Sequence, residues 1–439
     1  MSFTLLGILN SAAAGGGVPY WLASIGSGNG LGSEFALSGD ADSNIYFPTG
    51  GFRLQKVDAN GSGVWQNQSS AGSGYGQSAN LNIGSVQSGT NFSNPVSGGW
   101  EGVVQKRSPG GSLQWTKYVG TTGNDIMYGN EMDSVGNVYF VGEGNNSSFS
   151  TGASLIKLNS SGNLLWSTSI TNAGASRWQK VAVTAAGNIY TVGTSNLGSG
   201  ALRLVVSKFN SSGALQYFRY IGLGGLQVAG EAIVVDESTS EDNLYVVGET
   251  YEGATGARDS YIAKYRGNSG ALLWQRQTGI SGQYGKYYAV DMDAEGYIYA
   301  FGLQDGFPSA GSNQQFVTKY DSNGNVQFQR YINNAGAGND RPQGIISADG
   351  AMVFSGKLQT SLGSGTNGLL AKLPLDGSLT GTYSIAGGSI IYATPSMTSK
   401  TYNNGNSFQS VSTTGSGWLS GNYNYPLSNT TEPIATLDL

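Results

Sequence analysis

Lys157-Leu-Asn-Ser-Ser-Gly-Asn-Leu-Leu-Trp166, followed downstream by Asn188-Ile-Tyr-Thr-Val-Gly193, is the stretch on which the fold of this chain turns. Its first part is a Lys, a Gly-containing turn and an aromatic nine residues on; its second is an aromatic inside a short apolar run, with Gly three residues later. Both patterns recur. The first returns as Lys56 to Trp65, Lys106 to Trp115, Lys208 to Tyr217, Lys264 to Trp274 and Lys319 to Phe328, and in degenerate form at Lys372, where Tyr383 stands eleven residues on. The Lys positions are spaced by 50, 51, 51, 56, 55 and 53 residues, so the chain holds seven units of about fifty residues. The second pattern returns as Asn137-Val-Tyr139-Phe-Val-Gly142, Asn243-Leu-Tyr245-Val-Val-Gly248 and Tyr297-Ile-Tyr299-Ala-Phe-Gly302. Weaker copies stand at Tyr46 and Phe354, and the copy near Ile83 is the least recognisable.

Short β-branched and aromatic runs bounded by Gly, Asn, Asp and Ser are strand and turn chemistry, and no helical periodicity interrupts them. In the unit from Trp166 to Lys208 the pattern predicts strands over 164–170, 180–184, 188–193 and 202–209. Repetition of four antiparallel strands predicts an all-β chain, a seven-bladed β-propeller of four-stranded antiparallel blades over residues 21–385. An eight-bladed ring is the alternative, because Trp21-Leu-Ala-Ser-Ile25 matches Trp166-Ser-Thr-Ser-Ile170 and adds an aromatic strand before the first complete unit. That strand can close the ring on the last unit's sheet, and Tyr383-Ser-Ile385 can fill the same slot from the C-terminal side. Residues 1–20 then form an N-terminal peptide with an Ala/Gly tether, and 386–439 a C-terminal β-rich extension.

The composition agrees. Of 439 residues 70 are Gly, and only 11 % are charged, yet 38 % are hydrophobic and 11 % aromatic. Disorder calls for low hydrophobicity with high charge, so this is a packed, turn-rich chain whose Gly serves the turns. With no Cys there is no disulfide framework, thiolate metal site or cysteine nucleophile; with no His there is no Ser-His-Asp triad or imidazole shuttle. Any catalysis rests on carboxylates, Lys, Tyr or backbone amides. The net charge of −5 and the absence of a basic run argue against a nucleic-acid partner, and no stretch approaches the ~20 apolar residues of a membrane span.

The N-terminus, Met1-Ser-Phe-Thr-Leu-Leu-Gly-Ile-Leu-Asn-Ser11, has an apolar stretch from Phe3 to Leu9. No Lys or Arg precedes it, and at about seven residues it sits at the short limit for a signal-peptide core. It reads as an uncleaved plug on the flexible tether Ala-Ala-Ala-Gly-Gly-Gly.

The repeat as quoted resembles the bacterial and archaeal β-propeller repeat family, whose members are mostly extracellular or surface proteins; the likeness runs over about residues 21–383 and speaks to fold, not function. The first eleven residues resemble the N-termini of structural proteins from marine, cyanobacteria-infecting tailed phages. That resemblance implies a non-enzymatic virion component, in a decoration, tail or fibre role. Its propeller is displayed outward, with a host-surface glycan as a candidate partner. The docking residues toward other virion proteins are then Phe3, Leu5, Leu6, Ile8 and Leu9. A secreted or cell-surface bacterial propeller or lectin binding glycans is the alternative, and a carboxylate-dependent glycan hydrolase or lyase a third class.

No catalytic residue, cofactor or metal site is assigned. The seven Lys read as repeat structure, each stem lying on the neighbouring blade with its ammonium reaching solvent, and the aromatics Trp21, Trp65, Trp115, Trp166, Tyr217, Trp274 and Phe328 as inter-blade core. Asp291-Met-Asp293-Ala-Glu295 imitates the start of a calcium loop, but its twelfth position is Gly302, where a bidentate acid is required. Asp40, Asp133 and Asp293 share one place in the repeat and read as turn caps; Glu131 with Asp133 is a carboxylate pair of the kind glycoside hydrolysis uses, but half of it is this repeat position.

Overall fold

The computed structural model describes residues 3–10, 17–25, 36–48, 53–67, 73–80, 82–91, 100–119, 124–146, 149–170, 176–196, 202–221, 227–252, 257–280, 282–306, 314–333, 341–358, 367–385 and 388–395. Seven antiparallel sheets make up this part of the chain. Blade 3 shows the plan: Asp125–Met132, Val138–Asn146, Phe149–Leu158 and Leu164–Ile170 are hydrogen-bonded in sequence order. Blades 1, 2, 4, 5 and 6 open on Ser38–Gly39, Ser73–Asn80, Ser176–Val183, Gln227–Asp236 and Gly285–Met292, and blade 7 on Gln343–Ser347. These first strands touch one another in a closed ring of seven, blade 7 meeting blade 1. The expected seven-bladed propeller is the observed fold, and the sequence repeat runs one strand out of step with it: the Lys-to-aromatic element is the third and fourth strands of a blade.

Register explains why those residue types recur. Tyr139, Lys157 and Trp166 stand in one row across blade 3, and the same row is built by Tyr46, Lys56 and Trp65, and by Tyr299, Lys319 and Phe328. The Lys ammonium sits over the Tyr ring at 4.7 to 5.4 Å in five blades. Its head does not reach solvent as expected: Lys56, Lys106, Lys208 and Lys372 are buried. Lys56 and Lys319 approach Asp40 and Asp293 at 3.6 Å, while Lys106, whose row has Val86 in place of Tyr, is held by Ser160 O at 3.1 Å. The aspartates cap turns as expected. Asp133 accepts the amides of Val135 and Asn137 at 3.1 and 2.8 Å, and Asp293 that of Tyr297 at 2.8 Å.

Each blade is stapled to the next by the aromatic of its outermost strand. The indole N–H groups of Trp65, Trp115, Trp166 and Trp274 donate to Pro109, Ser160, Ser211 and Ser322 carbonyls at 3.0 to 3.2 Å, all in the tight turn between the third and fourth strands of the following blade. The Tyr217 hydroxyl does the same to Gly267 O at 2.8 Å, and Arg330 beside Phe328 reaches Gly377 O at 2.7 Å. The turn must come down on the ring, which is why it carries Gly: at Gly213, whose φ is 82°, an added Cβ would stand 2.7 Å from the Trp166 ring.

The ring closes from the N-terminal side. Tyr20–Ile25 is the fourth strand of blade 7, Trp21 lying opposite Lys372, and the Trp21 indole donates to Ala59 O of blade 1 at 3.0 Å. Tyr383, the rival, belongs instead to a hairpin, Gly381–Ile385 with Gly388–Ala393, that extends blade 6 through Val326–Asn333. Ile390 and Tyr392 of this hairpin belong to the same core as Leu22 of blade 7. Phe3–Asn10 pairs with Tyr20–Ile25 as a fifth strand of blade 7. The Ala/Gly tether between them is described only at Gly17, and the C-terminal extension only to Pro395; the rest of each lies outside the described residues. No helix is long and apolar enough to cross a membrane among the described residues.

Six of the seven inter-blade seams are filled by apolar clusters. Blade 1 against blade 2 is different: Gln87, Gln105 and Arg107 are buried at the blade 2 wall, and neither amide atom of Gln87 has a hydrogen-bond partner among the described residues. Two outcomes follow for thermal unfolding of the full chain. Trp21→Ala removes a fully buried ring and the closing staple and costs about 3–5 kcal/mol, whereas deletion of residues 1–17 spares that strand and leaves a folded propeller. Gln87→Met relieves an unsatisfied buried amide and raises stability by about 1 kcal/mol; a lowered midpoint would show the amide to be satisfied.

Candidate functional site

The second repeat pattern, aromatic-x-x-Gly, shapes the axis. Opposite Gly142 the innermost strand of blade 3 bulges, Met127 pairing with Gly142 and Gly129 with Val141, so that Tyr128 is the extra residue. A Cβ on Gly142 would fall 1.9 Å from Ile126 O, and only Gly lets the bulged strand lie so close. The same shift opposite Gly193, Gly248 and Gly302 makes Gln179, Glu231 and Tyr288 the bulged residues of blades 4, 5 and 6, and opposite Gly89 it falls at Tyr75. Tyr128, Gln179, Glu231 and Tyr288 all line an axial cavity of about 120 Å³, together with Lys180, Arg341 and Gln343. Sequence reasoning missed these residues. The signal was available in the marker glycines, but a register shift is a property of two strands and not of either alone.

Glu231 joins the wall of this cavity to a charged network. Lys286 lies 2.5 Å from Glu231 and 2.8 Å from Glu249, and Glu249 also takes Arg258 at 2.9 Å and the Tyr251 hydroxyl at 3.0 Å. Burial works against the Lys286 charge, but the two carboxylates outweigh it and hold the ammonium well above its usual range. Burial likewise opposes ionisation of Glu231, and Lys286 with Arg341 overcomes it and draws that carboxyl below its usual value. Arg258 stacks on Tyr251 at 4.2 Å, and the Tyr128 hydroxyl donates to Glu143 at 3.0 Å.

Further along the same strands, Glu131 of blade 3 and Asp291 of blade 6 hold one repeat position. Burial pushes both carboxyls up, and Lys180 of blade 4 partly offsets it. Asp291 is pushed up to about 6 even though the Ile346 and Met292 amides donate to it at 2.7 and 2.9 Å. Glu131 and Asp133 do not work as a pair. Asp133 is committed to its turn and to the Asn137 and Tyr139 side chains, at 2.8 and 3.3 Å, while Glu131 is enclosed by the inner strands and accepts the Met132 amide at 3.1 Å. Asp291 and Asp293 are separated in the same way, so the calcium-loop imitation is turn and axis, not one site. The candidate docking residues Phe3, Leu5, Leu6, Ile8 and Leu9 are brought together on one strand, with Leu6 and Leu9 falling at its two register shifts; their side chains lie outside the described residues.

Residues 114–150, from the outer strand of blade 2 into blade 3, match the β-propeller repeat family. The chain is thus a β-propeller that carries this repeat over part of its length. No curated protein matches it in sequence. Among solved structures, the propeller is similar to the C-terminal WD40 domain of Sif2, at 12 % identity and a TM-score of 0.47 over 84 % of this chain and 97 % of that one. It is similar also to BamB from Moraxella catarrhalis (12 %, 0.38, 84 % and 98 %) and to a europium-containing methanol dehydrogenase (11 %, 0.42, 72 % and 71 %).

The raised Asp291 carboxyl sets a sign for pH. Between about 4 and 6 the folded propeller holds a proton on Asp291 that the unfolded chain has lost, so this group's stabilisation is present at the acid end and is lost as pH rises through that window. The change is on the order of 2 kcal/mol. Unfolding midpoints measured from pH 4 to 7 for the wild type and Asp291→Asn should diverge at the upper end, the variant holding its stability where the wild type declines.

Proposed function

We propose that this propeller is a non-enzymatic structural protein of a phage particle, mounted through its N-terminal strand in a decoration, tail or fibre position, and that it serves attachment to a host-surface glycan. The observation that carries the reading is the N-terminal strand itself. Its sequence, Met1 to Ser11, resembles the N-termini of phage structural proteins, and Phe3–Asn10 stands at the rim as the edge strand of blade 7 among the described residues. An edge strand accepts another chain's strand through backbone hydrogen bonds. Display rather than turnover is supported by how the repeated ionisable groups are used: the third-strand Lys and the turn Asp are committed to rings, carbonyls and turn amides.

The second reading is a secreted or cell-surface bacterial propeller that binds glycans; the β-propeller repeat at residues 114–150 favours it. Particle assembly separates the two. Virions purified from an infection that supplies only the chain without residues 1–17 should lack it in a mass-spectrometric inventory, while the truncated propeller produced alone is folded. Undiminished incorporation would overturn docking by this strand, and absence of the full-length chain from virions would overturn the particle reading.

A further inference from the structure

We propose that the axial cavity binds one acidic sugar residue, with the ligand carboxylate on Lys180. The inference deepens the attachment reading, on which it rests for its biological setting, and it needs no particle to be tested.

Three observations carry it. The bulges turn Tyr128, Gln179, Glu231 and Tyr288 inward at one level of four successive blades, so the polar wall is built by the backbone and not by chance side-chain reach. Apolar residues, Leu37, Ile233, Val290 and Ile345, line the cavity as well. A cavity with apolar lining and a few convergent amide, hydroxyl and charged groups suits a pyranose, which offers C–H groups and a rim of hydroxyls. The charges on the wall are also unequally satisfied. Glu231 is met by Lys286 at 2.5 Å, whereas Lys180, which lines the cavity, makes no hydrogen bond or ion pair among the described residues. Glu131 and Asp291 act on it only from beyond contact distance. Arg341, on the same wall beside Glu231, adds positive potential. An entering carboxylate therefore meets a partly desolvated ammonium that lacks a contact partner, and the amides of Gln179 and Gln343 are placed to bind hydroxyls. A neutral sugar would leave that ammonium as it is, and a bare anion would leave the apolar lining and the amides unused.

Calorimetric titration of the purified full-length propeller with D-glucuronate, D-glucose and inorganic phosphate tests the proposal. Glucuronate should bind saturably at one site per chain, at least tenfold more tightly than glucose or phosphate. Lys180→Gln should lose at least tenfold in glucuronate affinity while keeping the circular dichroism spectrum of the folded propeller, and Lys180→Arg should restore most of it. Absence of saturable glucuronate binding, equal binding by Lys180→Gln, or phosphate binding as tightly as glucuronate would each overturn it. Particle incorporation of the chain is measured separately, so a failed titration leaves the mounting reading standing, and failed incorporation leaves the sugar site standing.

Discussion

An aromatic ring on the outermost strand of one blade, seated on the tight turn of the next, is the contact on which this ring depends. The turn brings a positive-φ Gly down on the ring and offers a carbonyl to its N–H or O–H, as Trp166 finds at Gly213 and Ser211 and Tyr217 at Gly270 and Gly267. Each such staple joins groups far apart in sequence, so none forms until two blades are in place. Seven blades closing on one another leave no blade with a free partner-seeking face, and stability becomes a property of the closed ring.

Closure puts the heaviest demand on the junction that the chain cannot make by continuity. Trp21 supplies there what Trp65 or Trp274 supplies elsewhere, and the third-strand residue opposite it, Lys372, is fully buried between Trp21, Ala59 O and Asp349. Added strands then reinforce the same sector: Phe3–Asn10 widens blade 7, and the 381–393 hairpin widens blade 6 and joins the core that holds Leu22. The seam most distant in character is blade 1 against blade 2, where buried Gln87 and Arg107 stand in place of an apolar cluster; Arg107 makes its bonds to Gly111 O and Gln105, and burial draws its pKa down. Among the described residues, the polar seam thus lies beside the blade 7 to blade 1 closure.

Much of this was legible in the residues. Lys157 and Trp166 announced a hairpin because cross-strand neighbours recur at fixed spacing, and Asp133 announced a capped turn because its side chain bonds amides within a few residues. Both are local. What was not legible required knowing which strands meet. Lys372 had two candidate aromatics, Trp21 and Tyr383, and the choice is made by long-range pairing. The fate of the Lys ammonium depended on a carbonyl or carboxylate from another turn, so snorkelling to solvent was the wrong expectation. The axial residues were hidden for a related reason: Gly142 was read as a strand-end marker, and its purpose, to admit the bulge that aims Tyr128 inward, exists only in the paired sheet.

The account stands or falls on Tyr20–Ile25 as a central strand of blade 7. Hydrogen exchange of the full-length chain reads this directly. The backbone amides of this strand and the Trp21 indole should exchange together with Asn367–Pro374, only through opening of the ring, and far more slowly than the Trp100 indole, whose residue is 42 % exposed. Exchange of Tyr20–Ile25 at the rate of an unprotected segment, with Asn367–Pro374 still protected, would contradict closure from the N-terminal side.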